Sequence, residues 1–259
     1  MNIQLTSPQS ISPEITVLRQ LPLDDQGTGT WWPARLDWAE NCLEEATPQD
    51  ILLWASHAFK EGLSLGTAFG VSGMVLIDMA LKIQPEMDIF YIDTGFFFPE
   101  TLELIDQAQD HYGRDFRRVT PEVSIREQAQ KHGPELYVHN PHLCCHIRKL
   151  VPLGNALDGQ KAWATAVRRD QSPTRAHTPV IQWNTKHKLI KLAPLARWTE
   201  ADVWSYVYQH DVPFNALHDQ NYPSIGCWPC TSPVAAGEDA RAGRWRGLSK
   251  TECGLHLVQ

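Results

Sequence analysis

Apolar residues in this chain gather in short runs separated by longer amphipathic stretches. Four runs have the length and composition of buried strands: Ser64 to Phe69, Ile89 to Ile92, Phe116 to Val119 and Lys161 to Val167. The segments after the first three predict helices over Met74 to Ile83, Pro99 to Tyr112 and Ser124 to Lys131. Strands alternating with helices imply right-handed crossovers and an α/β fold with a doubly wound, mostly parallel sheet. Ligands of such sheets sit beyond the carboxyl ends of the strands. Gly70-Val71-Ser72-Gly73, Asp93-Thr94-Gly95 and Arg168-Arg169 all fall there.

Two further helices precede this repeat. Trp31 to Ala46 carries Leu36, Ala39, Cys42 and Leu43 at helical spacing, which makes Cys42 a buried structural thiol. Thr47-Pro48-Gln49-Asp50 supplies a cap, a proline and an acid to start the next helix, with Ile51, Leu52, Ala55 and Phe59 on its apolar face. Residues 1–30 are polar and read as a poorly ordered arm. Gly133 to Pro152 breaks the rhythm. Thr199-Glu200-Ala201-Asp202 then caps a helix running to about His210, and from Ser224 onward glycine, proline and charge dominate. The expected division is the arm over 1–30, one α/β domain over 31–240, and a mobile, cysteine-bearing C-terminal tail over 241–259.

Length and composition narrow the class. The 259 residues can bury a substantial core, and no run approaches a membrane span. The first residues lack the basic and apolar regions of a signal peptide, which points to the cytoplasm and to reduced thiols. A net charge of −7 argues against a general nucleic-acid or membrane-surface binder. An anionic ligand then needs cations focused locally, and Arg148, Lys149, Arg168, Arg169, Arg175, Arg241, Arg244 and Arg246 all lie in or beside the candidate motifs.

Six cysteines carry the candidate chemistry. Cys144-Cys145 and Cys227-X-X-Cys230 together offer four thiolates for a metal centre, zinc or an iron–sulfur cluster, and adjacent cysteines suit a cubane better than a small tetrahedral ion. Cys253, near the chain end, is the candidate nucleophile, because neighbouring cations favour the attacking thiolate. Glu252 beside it works in the opposite direction. Gly70-Val71-Ser72-Gly73 fits a phosphate or nucleotide contact at a helix start, but it lacks the spacing and lysine of a P-loop.

Cys144-Cys145-X-X-Arg148-Lys149, Arg168-Arg169-Asp170-Gln171-Ser172-Pro173-Thr174-Arg175, Cys227-X-X-Cys230 and Glu252-Cys253-Gly254-Leu255-His256 resemble, in this order, the assimilatory adenylyl-sulfate (APS) reductases of the phosphoadenylyl-sulfate/adenylyl-sulfate reductase family. The resemblance runs from about Leu63 to His256. It implies an adenine-nucleotide α-hydrolase-like fold and a 4Fe-4S cluster on Cys144, Cys145, Cys227 and Cys230 that is not the electron donor. It also implies attack by Cys253 on the sulfur of APS, an S-sulfocysteine intermediate, and release of sulfite by a separate thioredoxin. Lys149, Arg175, Arg241, Arg244 and His256 match the substrate-binding set. Ala68-Phe69-Gly70-Val71-Ser72-Gly73 and Thr165-Ala166-Val167 depart from the family pattern at the nucleotide end. Three other readings stand beside it: reduction of the 3′-phosphorylated substrate (PAPS), a sulfur transferase acting on tRNA, and a non-enzymatic iron–sulfur or zinc redox sensor. Assembly as a homo-oligomer stays open.

Overall fold

The computed structural model describes residues 32–256; the arm expected over 1–30 lies outside them. Helix α1 (Trp32–Glu44) buries Ala39 and Leu43. Cys42 is only half-buried, packed at the margin of the same core. Thr47 caps α2 (Pro48–Phe59) by accepting from the Asp50 amide, as its sequence predicts.

The repeat then runs β1 (Leu63–Thr67), α3 (Val71–Ile83), β2 (Asp88–Ile92), α4 (Pro99–Tyr112), β3 (Arg117–Val119) and α5 (Ile125–His132). Helix α3 begins three residues before the expected Met74, with Gly70 as its N-cap. Gly73 is therefore helical and does not turn the chain; a Cβ there would stand 2.7 Å from the Thr67 hydroxyl, so the glycine lets the helix pack on the strand end. Ser124 and Glu127 form a reciprocal capping box on α5.

Short helices α6 (Leu136–His139) and α7 (Pro141–Cys145) follow, then a π-helical turn over His146–Leu150 and α8 (Val151–Leu157). Strand β4 (Ala162–Thr165) is the fourth expected strand. A hairpin that the hydrophobic pattern did not predict, β5 (Ile181–Asn184) and β6 (Leu189–Leu192), comes next, followed by α9 (Glu200–His210) with Thr199 as its cap.

Among the described residues the strands form one sheet in the order β3-β2-β1-β4-β6-β5, parallel throughout except between β5 and β6. Leu65 of β1 pairs with both Ile89 of β2 and Ala164 of β4. The chain winds outward from β1 through β2 to β3, then restarts on the other side with β4. The switch point lies between β1 and β4, where a parallel sheet opens a crevice at its carboxyl edge. The expected α/β class and doubly wound sheet are both observed. Among the described residues no helix is long and apolar enough to cross a membrane.

Candidate active site

A cleft of about 260 Å³ opens at this switch point. Gly66 to Ala68 with Gly70 and Val71 line one wall, Ala166 to Arg168 another, and the C-terminal segment with Cys253 and His256 closes over it. Gly70 faces open space, and the first turn of α3, Val71 to Gly73, lines the cleft, where a helix start leaves amide groups without intrahelical partners. Phe69, at φ +55°, makes the sharp bend into this loop; its amide donates to the Thr67 hydroxyl at 3.0 Å and its ring packs edge-on to Tyr91.

Of the cations expected around an anionic ligand, Lys149, Arg175, Arg241 and Arg244 converge on the cleft. Three others are engaged elsewhere. Arg169 forms a two-pronged pair with Glu44 of α1 at 2.5 and 2.9 Å, and Arg246 pairs with Glu238 at the surface. Arg148 is buried and donates to the Thr94 and Val123 carbonyls and to Gln128, so it ties α5 and the turn after β2 to the π-helical turn. Arg168 lines the cleft but is paired with Asp170 and donates to Ser72.

The wide π-helical turn buries two consecutive cations with different partners, Arg148 under Gly95 and Lys149 between cleft and cysteines. Burial opposes the Lys149 charge, but the Cys227, Cys253 and Cys145 sulfurs outweigh it and hold the ammonium above its ordinary value. Arg244 approaches Gly226 so closely that a side chain there would collide with its guanidinium. It also donates to the Ser224 hydroxyl and the Ile225 carbonyl, each at 3.3 Å, and lies over the Trp245 ring.

Glu252, next to Cys253, is gripped by two of the arginines that line the cleft. Arg175 donates to both its oxygens at 2.9 and 2.8 Å, and Arg241 adds a contact at 3.1 Å. Burial alone would raise this carboxyl, yet Arg175 and Arg241 hold it below the usual range. Arg241 also donates to the Thr251 carbonyl, and burial with Arg175 beside it brings its own value down to about 10. Cys253 therefore sits beside an ion pair, within electrostatic reach of Lys149, Arg241 and Cys145. His256 is half-buried, and burial of its ring, then Lys191, Arg175 and Arg241, hold it well below its ordinary value, so it is neutral.

The other four cysteines line a second, small cavity that shares Cys227 and Lys149 with the cleft. Asn140 caps α7 and so orients Cys144 and Cys145, while Cys230 lies in a single 3-10 turn after Cys227. Phe96, Tyr137 and Trp228 make an aromatic wall around them. All four are free thiols. Burial pushes Cys144 and Cys230 up to about 11. Burial opposes ionisation of Cys227 too, but Lys149, the Thr94 hydroxyl at 3.3 Å and Arg244 bring it below its ordinary value. Lining a cavity is a looser arrangement than gripping one ion. Among the described residues no group of three or more His, Cys, Asp or Glu is placed to hold a metal ion.

Thr94, from the Asp93-Thr94-Gly95 stretch expected beyond a strand end, lines the cleft. Gln128, Trp163 and Lys191 complete the surroundings without having been singled out by the sequence. Trp163 and Lys191 sit inside strands, where nothing in the pattern separates them from packing residues.

The fold is that of the adenine-nucleotide α-hydrolase-like proteins, and the chain belongs to the phosphoadenosine phosphosulfate reductase domain family, whose pattern it matches over residues 62–233. It is 45% identical over 233 residues to the adenosine 5′-phosphosulfate reductase of Salinibacter ruber, covering 90% of this chain and 92% of that one. It is 48% identical over 208 residues to adenosine 5′-phosphosulfate reductase 2 of Bacillus subtilis, covering 80% of this chain and 88% of the relative. The crystal structure of phosphoadenylyl-sulfate (PAPS) reductase from Candida auris in complex with phosphate superposes with a TM-score of 0.68 at 34% identity, over 77% of this chain and 96% of that one. Candida glabrata FMN adenylyltransferase, at TM-score 0.55 and 16% identity over 85% of this chain and 69% of that one, shares the fold.

Proposed function

We propose that this chain reduces adenosine 5′-phosphosulfate to sulfite and AMP, through an S-sulfocysteine on Cys253 and with thioredoxin as reductant, in the cytoplasm. It is an oxidoreductase acting on a sulfur group. The observation that carries the reading is one cleft at the switch point that collects Lys149, Arg175, Arg241, Arg244, His256 and the Cys253 thiol. Identities of 45% and 48% to relatives named as APS reductases support the substrate.

The chemistry follows from the groups present. Adenosine would lie along the backbone of the Gly70 loop, with the phosphosulfate toward the cations. Guanidinium forks suit its oxygens and stabilise the charge that develops on the departing phosphate. The Cys253 thiolate attacks the sulfate sulfur, a new S–S bond forms, and the S–O bond breaks with its electron pair leaving on AMP. One thioredoxin thiolate then attacks the Cys253 sulfur and expels sulfite. The second thioredoxin thiol resolves the mixed disulfide, so Cys253 returns as a thiol and thioredoxin leaves oxidised. The two electrons come from thioredoxin.

The donor set of four free cysteines around one cavity fits a 4Fe-4S cluster, held by Cys144, Cys145, Cys227 and Cys230. Bound there, such a centre supplies a compact negative charge next to the substrate without supplying electrons. Lys149, between the cysteine cavity and the cleft, balances that charge and faces the anionic substrate. Release of the segment that carries Cys253 would let its thiol serve the substrate first and thioredoxin second.

The second reading is reduction of the 3′-phosphorylated substrate, favoured by the 34% identity to the Candida auris protein named for it. Sulfite release from APS and PAPS, side by side with reduced thioredoxin, separates the two. The expected result is turnover of APS well above that of PAPS. Turnover of PAPS alone, or of neither, overturns the proposal.

A further inference from the structure

The C-terminal segment is seated on a floor that none of the cysteine or arginine motifs includes. Trp163 of β4 and Lys191 of β6 are register partners and so share one face of the sheet. His256 stacks over Trp163 at 5.7 Å and 24°, and Leu255 packs against the cluster formed by Phe90, Leu153 and Trp163. Gly66 makes room for the indole: a Cβ there would stand 2.5 Å from the Trp163 ring nitrogen. Lys191 completes the floor. It is 2% exposed, its ammonium lies 5.5 Å from the Trp163 ring centre, and it donates to the His256 carbonyl at 3.5 Å.

Among the described residues Lys191 forms no ion pair with a carboxylate; its recorded partners are the His256 carbonyl and the Trp163 ring. An ammonium buried without a counter-ion is expensive to the fold. The strain is visible in its titration, since burial and then the Arg175 charge push the amine down to about 8. A methionine of similar length would fill the same space beside the indole without a charge to desolvate. Stability therefore does not account for a lysine at this position, whereas its contact with the end of the chain does.

We propose that Lys191 is a positioning residue for the nucleophile: its ammonium, beneath the docked end of the chain, holds the His256 carbonyl and so sets Cys253 at the mouth of the cleft. This rests on the reading of Cys253 as the attacking group. Lys191 neither lines the cleft nor touches Cys253, and acts through the His256 backbone three residues further along.

The test uses the full-length protein with Lys191→Met and Lys191→Arg, and three readouts. Without ligand, amide hydrogen exchange over residues 250–256 should be faster in Lys191→Met and near wild type in Lys191→Arg. In a single turnover with adenosine 5′-phosphosulfate and no reductant, Lys191→Met should sulfonate Cys253 at least tenfold more slowly, with much of the rate recovered in Lys191→Arg. The thermal midpoint of Lys191→Met should equal or exceed that of the wild type, which a lysine kept for the fold would not allow. Wild-type exchange, a wild-type rate or a lowered midpoint in Lys191→Met each overturns the proposal. If the wild type itself forms no adduct, the reading of Cys253 fails, and the ligand-free exchange still decides whether Lys191 seats the chain end.

Discussion

Glu252 shows how far a residue's meaning depends on partners distant in the chain. Beside a candidate thiolate, a carboxylate reads as a local disadvantage. In the fold Arg175 and Arg241, 77 and 11 positions away, take up its charge and turn it into a hook that holds the segment bearing Cys253. Breaking a buried pair on one side leaves an uncompensated charge, at a cost of about 3–5 kcal/mol. Glu252→Gln should therefore speed hydrogen exchange over residues 250–256 and lower kcat/KM by roughly 10- to 100-fold. Because the folded carboxyl is held below its unfolded value, the contact contributes fully above about pH 4.3 and is lost as pH falls through the lower folded value. Exchange over this segment should rise with acid in the wild type beyond the intrinsic rate, and Glu252→Gln should lack that rise. Equal profiles would mean that the ion pair does not hold the segment. The arginines were legible only as charge: sequence could not tell that Arg169 and Arg246 are committed to Glu44 and Glu238, since those pairings are tertiary.

Elements built on local chemistry were the ones the sequence disclosed. The caps at Thr47 and Thr199 and the strands β1 to β4 follow from side-chain-to-backbone bonds and apolar runs, which need no distant partner. The β5–β6 hairpin escaped because its signal is mixed. Gln182 and Asn184 interrupt β5, and Lys191 places a charge in a strand that is buried throughout. Lysine in a strand ordinarily marks a solvent face, so a functional lysine there hides the strand. Gly73 misled in the other direction, since a glycine needed for helix–strand contact resembles one needed for a turn. Gly66→Ala tests the element that carries the floor of the site. Its Cβ would stand 2.5 Å from the Trp163 ring nitrogen and 2.9 Å from the Phe90 ring, both in a packed sheet face. Overpacking of this kind typically costs about 1–3 kcal/mol, which denaturant unfolding would read directly. A tilted Trp163 should also loosen His256 and slow the reaction of Cys253. An unchanged midpoint and rate would show that the indole has room to move.

Taken whole, the molecule joins two sites through one wall. The switch point between β1 and β4 opens the cleft, the break in the repeat over α6, α7 and the π-helical turn brings two cysteines to its side, and the loop with Cys227 and Cys230 closes the second cavity. Lys149 and Cys227 belong to both. The chain end then crosses the sheet face, hooked by Glu252 at one side of Cys253 and seated by His256 at the other. Sequence motifs identified the two groups of cysteines, and the family resemblance matched Lys149 to a lysine between cluster and substrate; that Cys227 lines both cavities was not legible, because convergence of distant segments is a property of topology. The reaction requires the sulfur of Cys253 to become bonded to the substrate's sulfonate before any reductant acts. Intact-mass analysis of the protein incubated with adenosine 5′-phosphosulfate alone, followed by peptide mapping, measures that step directly. The account predicts one sulfo group per chain, on Cys253, removed with release of sulfite when reduced thioredoxin is added. An unmodified chain, or an adduct on any other residue, would contradict it.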